Sequence, residues 1–314
     1  MNNKYFTIRE NCPICGSTDS KELYSCGFLQ SPIREFLESF YLLQGKVEFK
    51  YSSGANFVLR ECNNCEMIYQ KEIPNEFLMK KLYEEWIDPQ KAFELDLDKE
   101  DLAYVSYYAQ EVISLIEFFK TKPSQLKYLD FGMGWGKWCQ MAKTFGCDSY
   151  GTELSETRIE YAQKNNIKVI TYDDIPEYCF DFINTEQVFE HISNPFETFC
   201  HLKRALKPNG LIKIAVLNCR NIKKKIKINN WMAHKGSKNS LNPVSPLEYI
   251  NCFNQLSIIK MANIAGFERI KLPIILQLGS TTNWHGPRQI LKNILRPVYR
   301  NTFLSTYLFF RLKR

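Results

Sequence analysis

From Tyr128 to Val216 the chain alternates short apolar runs with segments of helical periodicity. Tyr128-Leu129-Asp130-Phe131 predicts a strand, closed by the glycine-spaced turn Gly132-Met133-Gly134-Trp135-Gly136, and residues 138–143 predict the helix that follows. Residues 149–153 predict a second strand, and 155–165 a helix with Ser155 as its N-cap. Third, fourth and fifth strands are expected at 167–170, 180–184 and 211–216. A helix begins at Pro195, and a Pro208-Asn209-Gly210 turn precedes the fifth strand. Strands alternating with helices imply an α/β fold with a parallel sheet and right-handed crossovers.

The flanks change period. Phe77, Leu78, Leu82, Tyr83 and Trp86 recur at helical spacing, and a second helix over 102–119 carries Val105, Tyr108, Val112, Leu115, Ile116 and Phe119 as its stripe. Lys122-Pro123-Ser124 breaks it. Downstream, 255–265 predicts a helix stopped by Gly266, 267–276 a sixth strand, 289–299 a basic helix, and 306–312 a closing antiparallel strand. This organisation divides the 314 residues into 1–73, a helical linker or cap over 74–122, and an α/β domain over 123–314. A hydrophobic fraction of 45% and a charged fraction of 24% suit a globular protein. With no spanning apolar run and a polar beginning, the cytoplasm is the expected location.

The formal net charge of +7 is unevenly spread. Lys223-Lys224-Lys225-Ile226-Lys227 is the sharpest basic run. It reads as a solvated face or as a site for an anionic acceptor, while nucleic acid is disfavoured because no recognition motif accompanies it. The basic, aromatic C-terminal segment also fits peripheral contact with a membrane surface. Eleven cysteines, an odd count, argue against a disulfide framework. Four fall in two pairs, Cys12-Pro13-Ile14-Cys15 and Cys62-Asn63-Asn64-Cys65. Two such pairs supply four thiolates for one tetrahedral Zn2+, with no open position for catalysis, so the module is expected to be structural.

The glycine-spaced turn suits close approach of a ligand to the backbone. Glu153, at the end of the second strand, can accept hydrogen bonds from both hydroxyls of a ribose. Asp173 or Asp174, after the third strand, can accept from the exocyclic amine of adenine. A nicotinamide dehydrogenase fingerprint needs glycine where Lys137 stands. Taken together, Asp130, Gly132, Gly134, Gly136, Glu153, Asp173, Asp174, the segment 180–195 with Glu190-His191-Ile192, and Pro208-Asn209-Gly210-Leu211 resemble the class I S-adenosylmethionine-dependent methyltransferases. The resemblance covers about residues 128–218. It implies a Rossmann-like, doubly wound, seven-stranded sheet, S-adenosylmethionine as cofactor, and Gln187 as a further cofactor contact.

The N-terminal double pair Cys12, Cys15, Cys62 and Cys65 extends the resemblance to zinc-containing sugar methyltransferases of polysaccharide clusters. The acceptor it implies is a sugar, a nucleotide-sugar or a glycan precursor. In those relatives a Glu-His pair follows the fifth strand; here Glu248 is kept and Tyr249 replaces the histidine. Candidates for a general base are therefore His191, His234, Glu248 and Tyr249. Methylation of another small metabolite, or a non-catalytic adenosylmethionine-binding assembly subunit, are the alternatives.

Overall fold

The computed structural model describes residues 3–42, 45–88, 90, 91, 93, 94 and 101–313; positions 89, 92 and 95–100 of the expected linker lie outside them. Backbone contacts divide the chain into two compact units. One is Met1–Glu94 with Phe189–Glu197 and Val216–Met261, and the other is Leu95–Val188 with Thr198–Ala215 and Ala262–Arg314. The linear boundaries expected at 73 and 122 differ from these units, because pieces of chain from beyond residue 188 complete the first.

In the first unit, β1 (Phe6–Ile8) pairs antiparallel with β5 (Glu72–Pro74). A second, antiparallel sheet runs β11-β4-β3-β2, from Asn251–Cys252 (β11), Ile68–Gln70 (β4), Asn56–Cys62 (β3) and Ser20–Gly27 (β2). The stretch between the cysteine pairs forms the helix Ile33–Tyr41, whose Ile33, Phe36, Leu37 and Tyr41 are buried. Phe36 and Phe57 each meet the Trp231 ring at 5.4 Å, so this insertion is core and not an appended loop. Arg9 holds the unit together. Its guanidinium donates to the carbonyls of Gln70 and Ile250 at 2.7 Å each and to Asn251 Oδ1 at 2.8 Å. Burial presses its pKa down to about 9, which still leaves it charged at neutral pH. The expectation of no disulfides needs one correction. Cys219 and Cys252 are bonded, because the amide of Cys219 donates to the Phe253 carbonyl and lays the two segments side by side; the other nine cysteines are free.

The second unit holds a seven-stranded sheet of β6 (Lys127–Phe131), β7 (Asp148–Thr152), β8 (Lys168–Val169), β9 (Phe180–Glu186), β10 (Leu206–Ala215), β12 (Phe267–Ile270) and β13 (Tyr307–Leu312). Its order is β12-β13-β10-β9-β6-β7-β8, with only β13 antiparallel to its neighbours. This is the expected Rossmann-like methyltransferase sheet. Burial on both faces explains why β6, β9 and β10 read as apolar runs rather than alternating ones. The sixth strand ends at Ile270, short of the expected 276. Pro273 lacks an amide for the ladder and instead precedes the helix Ile274–Gly279. The helix Leu102–Phe119 forms as expected, started by Asp101, whose side chain accepts from the Tyr104 amide at 2.8 Å.

Lys213 breaks the apolar run of β10. It is fully buried, and its ammonium meets Glu111 Oε1 at 2.8 Å and Glu186 Oε2 at 2.9 Å. Burial alone would lower its pKa, but the two carboxylates outweigh burial and raise it. For Glu111, burial pushes upward while Lys213 and Arg300 pull its pKa below the ordinary value. Trp138 Nε1 donates to Glu111 at 2.9 Å, and the Tyr307 hydroxyl donates to its other oxygen. Removing one partner of such a pair leaves a buried charge unmatched. Lys213→Met is expected to cost about 3–5 kcal/mol of stability in urea titrations, and adding Glu111→Gln to it should recover part of that loss. Additive losses in the double variant would show that the pair is not coupled.

Candidate functional site

The loop after β6 carries Gly132, Gly134 and Gly136 at φ +72°, +56° and +72°, a conformation that side chains rarely adopt. The three have different neighbours. A Cβ on Gly132 would meet the Val188 side chain at 2.7 Å, and one on Gly136 would overlap Ile167 Cδ1. Nothing lies within 4 Å of the same position on Gly134. The outer two glycines thus let the loop pack, and the middle one faces open space where a ligand can approach the backbone.

Glu153 follows β7 and grips this loop. Its Oε2 accepts from the Gly134 amide at 3.0 Å, and Oε1 accepts from the amides of Leu154 and Ser155 at 2.8 and 3.1 Å. Arg158 stands 3.7 Å away. Ser155 takes the expected N-cap position of the helix Glu156–Lys164 but makes no side-chain capping bond, and the Glu153 carboxylate accepts from the two amides just before that helix. Asp130 lies beneath the loop, 4% exposed, and accepts from Asn184 Nδ2 at 2.6 Å. Burial raises its carboxyl from the ordinary 3.8 to about 7, although the Asn184 bond opposes the rise. Asp130 therefore supports the loop from below. Asp173 and Asp174 are both exposed; Thr171 donates its hydroxyl to Asp174, which ties that carboxylate into a local turn. Gln187 is exposed at φ +54°, and its amide donates to the Ala215 carbonyl at 2.7 Å.

Glu186 stands at the carboxyl end of β9, opposite Ala215 in register, with Lys213 on one carboxylate oxygen and the Tyr107 hydroxyl 3.5 Å from the other. The carboxyl ends of a parallel sheet are where such folds bind ligands. Sequence reasoning passed over Glu186, Glu111 and Lys213. The one signal was a lysine inside an otherwise apolar strand.

The candidate bases fall in the first unit. His191 sits in the 3-10 turn Phe189–His191. Its Nδ1 lies 2.8 Å from the Glu248 carbonyl and 3.0 Å from the Tyr83 hydroxyl. A carbonyl only accepts, so Nδ1 carries the proton and Nε2 is the basic nitrogen. Tyr249 packs on the imidazole with ring centroids 4.8 Å apart, and burial raises its phenol pKa, so it stays protonated at neutral pH. Glu248 is buried and accepts from the Tyr41 hydroxyl at 2.7 Å. These two therefore orient the imidazole. His234 is exposed in a turn closed by the Ser237 amide on its carbonyl. Tyr83 belongs to the π-helical turn Leu82–Trp86, and the stripe pattern had marked it only as packing. The basic run is partly absorbed by the fold, since Lys223 pairs with Glu61 at 2.8 Å and Lys225 donates to the Ser240 carbonyl at 3.1 Å.

Cys12, Cys15, Cys62 and Cys65 converge, with all four sulfurs within 4.8 Å of one another. Cys12 and Cys65 are 3.4 Å apart, and Cys15 and Cys62 are 3.6 Å apart. Sulfurs about 2.3 Å from one tetrahedral zinc lie about 3.8 Å from each other, so the cage has the right size. The two knuckles share one construction. The amides of Gly16 and Glu66 each donate to the carbonyl of the first cysteine in their pair at 3.0 Å, with φ at +70° and +58°. The donor set and its spacing fit Zn2+.

A match to the family described as "Methyltransferase domain" covers residues 104–272, more than half of the chain. The chain belongs to this methyltransferase domain family. Among curated proteins similar to this chain are the ubiquinone biosynthesis O-methyltransferases of Pelagibacter ubique (28% identical, 48% of this chain, 66% of that protein) and Bartonella tribocorum (27%, 43% and 59%). The match thus spans less than two thirds of their length. Among solved structures, the plantazolicin methyltransferase BpumL in complex with SAH is 16% identical, with a TM-score of 0.49 over 76% of this chain and 94% of that one.

Two outcomes test this geometry. Purified protein is expected to carry about one zinc per chain by mass spectrometry, and Cys62→Ser should lower both the zinc content and the melting temperature; a zinc-free, fully folded protein would refute the cage. The raised Asp130 pKa means that the native state holds a proton which the unfolded state has lost. Its stability contribution is present below about 4, falls as pH rises towards 7, and is gone above that. Asp130→Asn should remove a slope of up to about 1.4 kcal/mol per pH unit between pH 5 and 7 in urea titrations at stepped pH.

Proposed function

We propose that this protein is an S-adenosylmethionine-dependent methyltransferase acting on a small-molecule acceptor. The single observation that carries the proposal is the Gly134 amide held by Glu153 beside open backbone space, inside a sheet of the family's strand order. The donor-binding set is the Gly132–Gly136 loop, Glu153, one of Asp173 and Asp174, and Gln187. The bound donor supplies a methyl group on a sulfonium, already activated for displacement. The protein's remaining work is to position the acceptor and to take its proton.

His191 is the base in this proposal. The acceptor oxygen forms its bond to the methyl carbon, the carbon–sulfur bond breaks with its electrons going to sulfur, and the hydroxyl proton goes to Nε2. The Glu248 carbonyl fixes the tautomer that makes Nε2 basic. Oxygen methylation is favoured by the names of the curated relatives, which are O-methyltransferases. A sugar, nucleotide-sugar or glycan precursor as acceptor rests on the resemblance of the four-cysteine module, and those relatives lend a polysaccharide pathway no support. Zinc in this proposal is structural, holding the first unit.

Calorimetry with S-adenosylmethionine is expected to show one site on metal-replete protein. Glu153→Gln should weaken binding about tenfold or more, because a charged acceptor of two hydroxyls is lost. His191→Gln should leave donor affinity unchanged and lower kcat by about 10²–10⁴, measured as S-adenosylhomocysteine produced from catechol-like and sugar acceptors in parallel. Failure of folded wild-type protein to bind the donor would overturn the proposed function, and unchanged turnover in His191→Gln would overturn the base.

A further inference from the structure

In the second unit, the helix Pro287–Arg300 is inverted relative to an ordinary surface helix. Its Asn293, Arg296 and Arg300 face the protein. Asn293 is 2% exposed and donates to the Asn283 carbonyl. Arg296 donates to Gln110 Oε1 at 3.0 Å, and the Arg300 guanidinium lies 3.8 Å from the centre of the Tyr307 ring. Ile290, Leu291, Ile294, Leu295, Val298 and Tyr299 recur at i, i+1, i+4, i+5, i+8 and i+9, which places them on one side. All six are exposed, Leu291 at 57% and Leu295 at 52%. Burial of an apolar stripe is what normally docks such a helix, and here the stripe points outward.

The charge pattern says what covers it. Residues 269–314 contain nine Lys and Arg and no Asp or Glu. On the helix itself, Arg288 and Lys292 are exposed, and at 100° per residue they border the apolar arc. A second copy of this chain would bring a like-charged segment against this one. An anionic lipid surface accepts both features at once, with the apolar arc at the headgroup–acyl boundary and the cations at the phosphates. We propose that the helix Pro287–Arg300 is a membrane-surface docking element for bilayers that contain anionic lipid. Among the described residues no helix is long and apolar enough to cross a membrane, so the contact is peripheral. The proposal does not depend on the methyl donor or the acceptor.

Flotation of the full-length, metal-replete protein with vesicles tests it. Protein should float with phosphatidylcholine vesicles containing phosphatidylglycerol, not with phosphatidylcholine alone, and should be released by added salt. Leu291→Glu combined with Leu295→Glu should lower the bound fraction on the order of tenfold or more, because apolar area is lost and charge repulsion added. Arg288→Glu combined with Lys292→Glu should lower it through charge alone. The substituted side chains are exposed, and an unchanged melting temperature checks the fold. Absence of flotation at low salt, or flotation that the leucine variants leave unchanged, overturns the proposal. So does a wild-type dimer in sedimentation that those variants convert to monomer, which would assign the face to a second copy.

Discussion

The second unit is organised by one buried ammonium. Lys213 stands in β10 between the buried Ile212 and Ile214, and it can remain there only with its charge matched. Two carboxylates do this from two directions, Glu111 on the helix Leu102–Phe119 and Glu186 at the end of β9. Tyr307 on β13 closes on Glu111, and Arg300, from the inverted helix, lies over the Tyr307 ring. A requirement set by one residue thereby fixes where a helix, three strands and a C-terminal helix meet. It also explains the inversion. Arg296 and Arg300 of the helix Pro287–Arg300 are drawn inward by aromatic faces and a glutamine oxygen, which leaves the apolar stripe on the other side for the outside.

The first unit solves the same problem with neutral oxygens. Arg9 donates to the carbonyls of Gln70, Ile250 and Ser193 and to Asn251 Oδ1. Asn251 in turn donates to the carbonyls of Phe189 and Ile192, at 2.9 and 2.6 Å. The turn bearing His191 is thus tied to the strand that follows the cysteine knuckles, through one guanidinium and one amide. The four-cysteine cage and the candidate base belong to the same compact unit.

What the sequence disclosed follows from the range of each interaction. The alternation of strands and helices, the glycine loop and the acid that closes the second strand were legible because local spacing determines them: positive φ demands glycine, and a strand end places its carboxylate. The cysteine cage was legible because thiolate pairs at this spacing have few other uses. Three features were not. Lys213, Glu111 and Glu186 are 75 and 27 positions apart along the chain at their nearest, and no local pattern joins them. Tyr83 and Tyr41 reach His191 and Glu248 only through tertiary packing. The helix Pro287–Arg300 was anticipated, but its orientation depends on Tyr307 and on Gln110 and Tyr107, the last two distant in sequence.

The departure at Tyr249 gains a physical sense from these contacts. A histidine there would place a second titrating ring against His191. A tyrosine whose phenol is kept protonated by burial supplies the same packing surface and adds no charge near neutral pH. The Glu248 side chain, bonded to Tyr41, leaves its own backbone carbonyl as the acceptor for His191 Nδ1. A carbonyl only accepts, so it fixes the tautomer with the proton on Nδ1 and leaves Nε2 as the basic nitrogen.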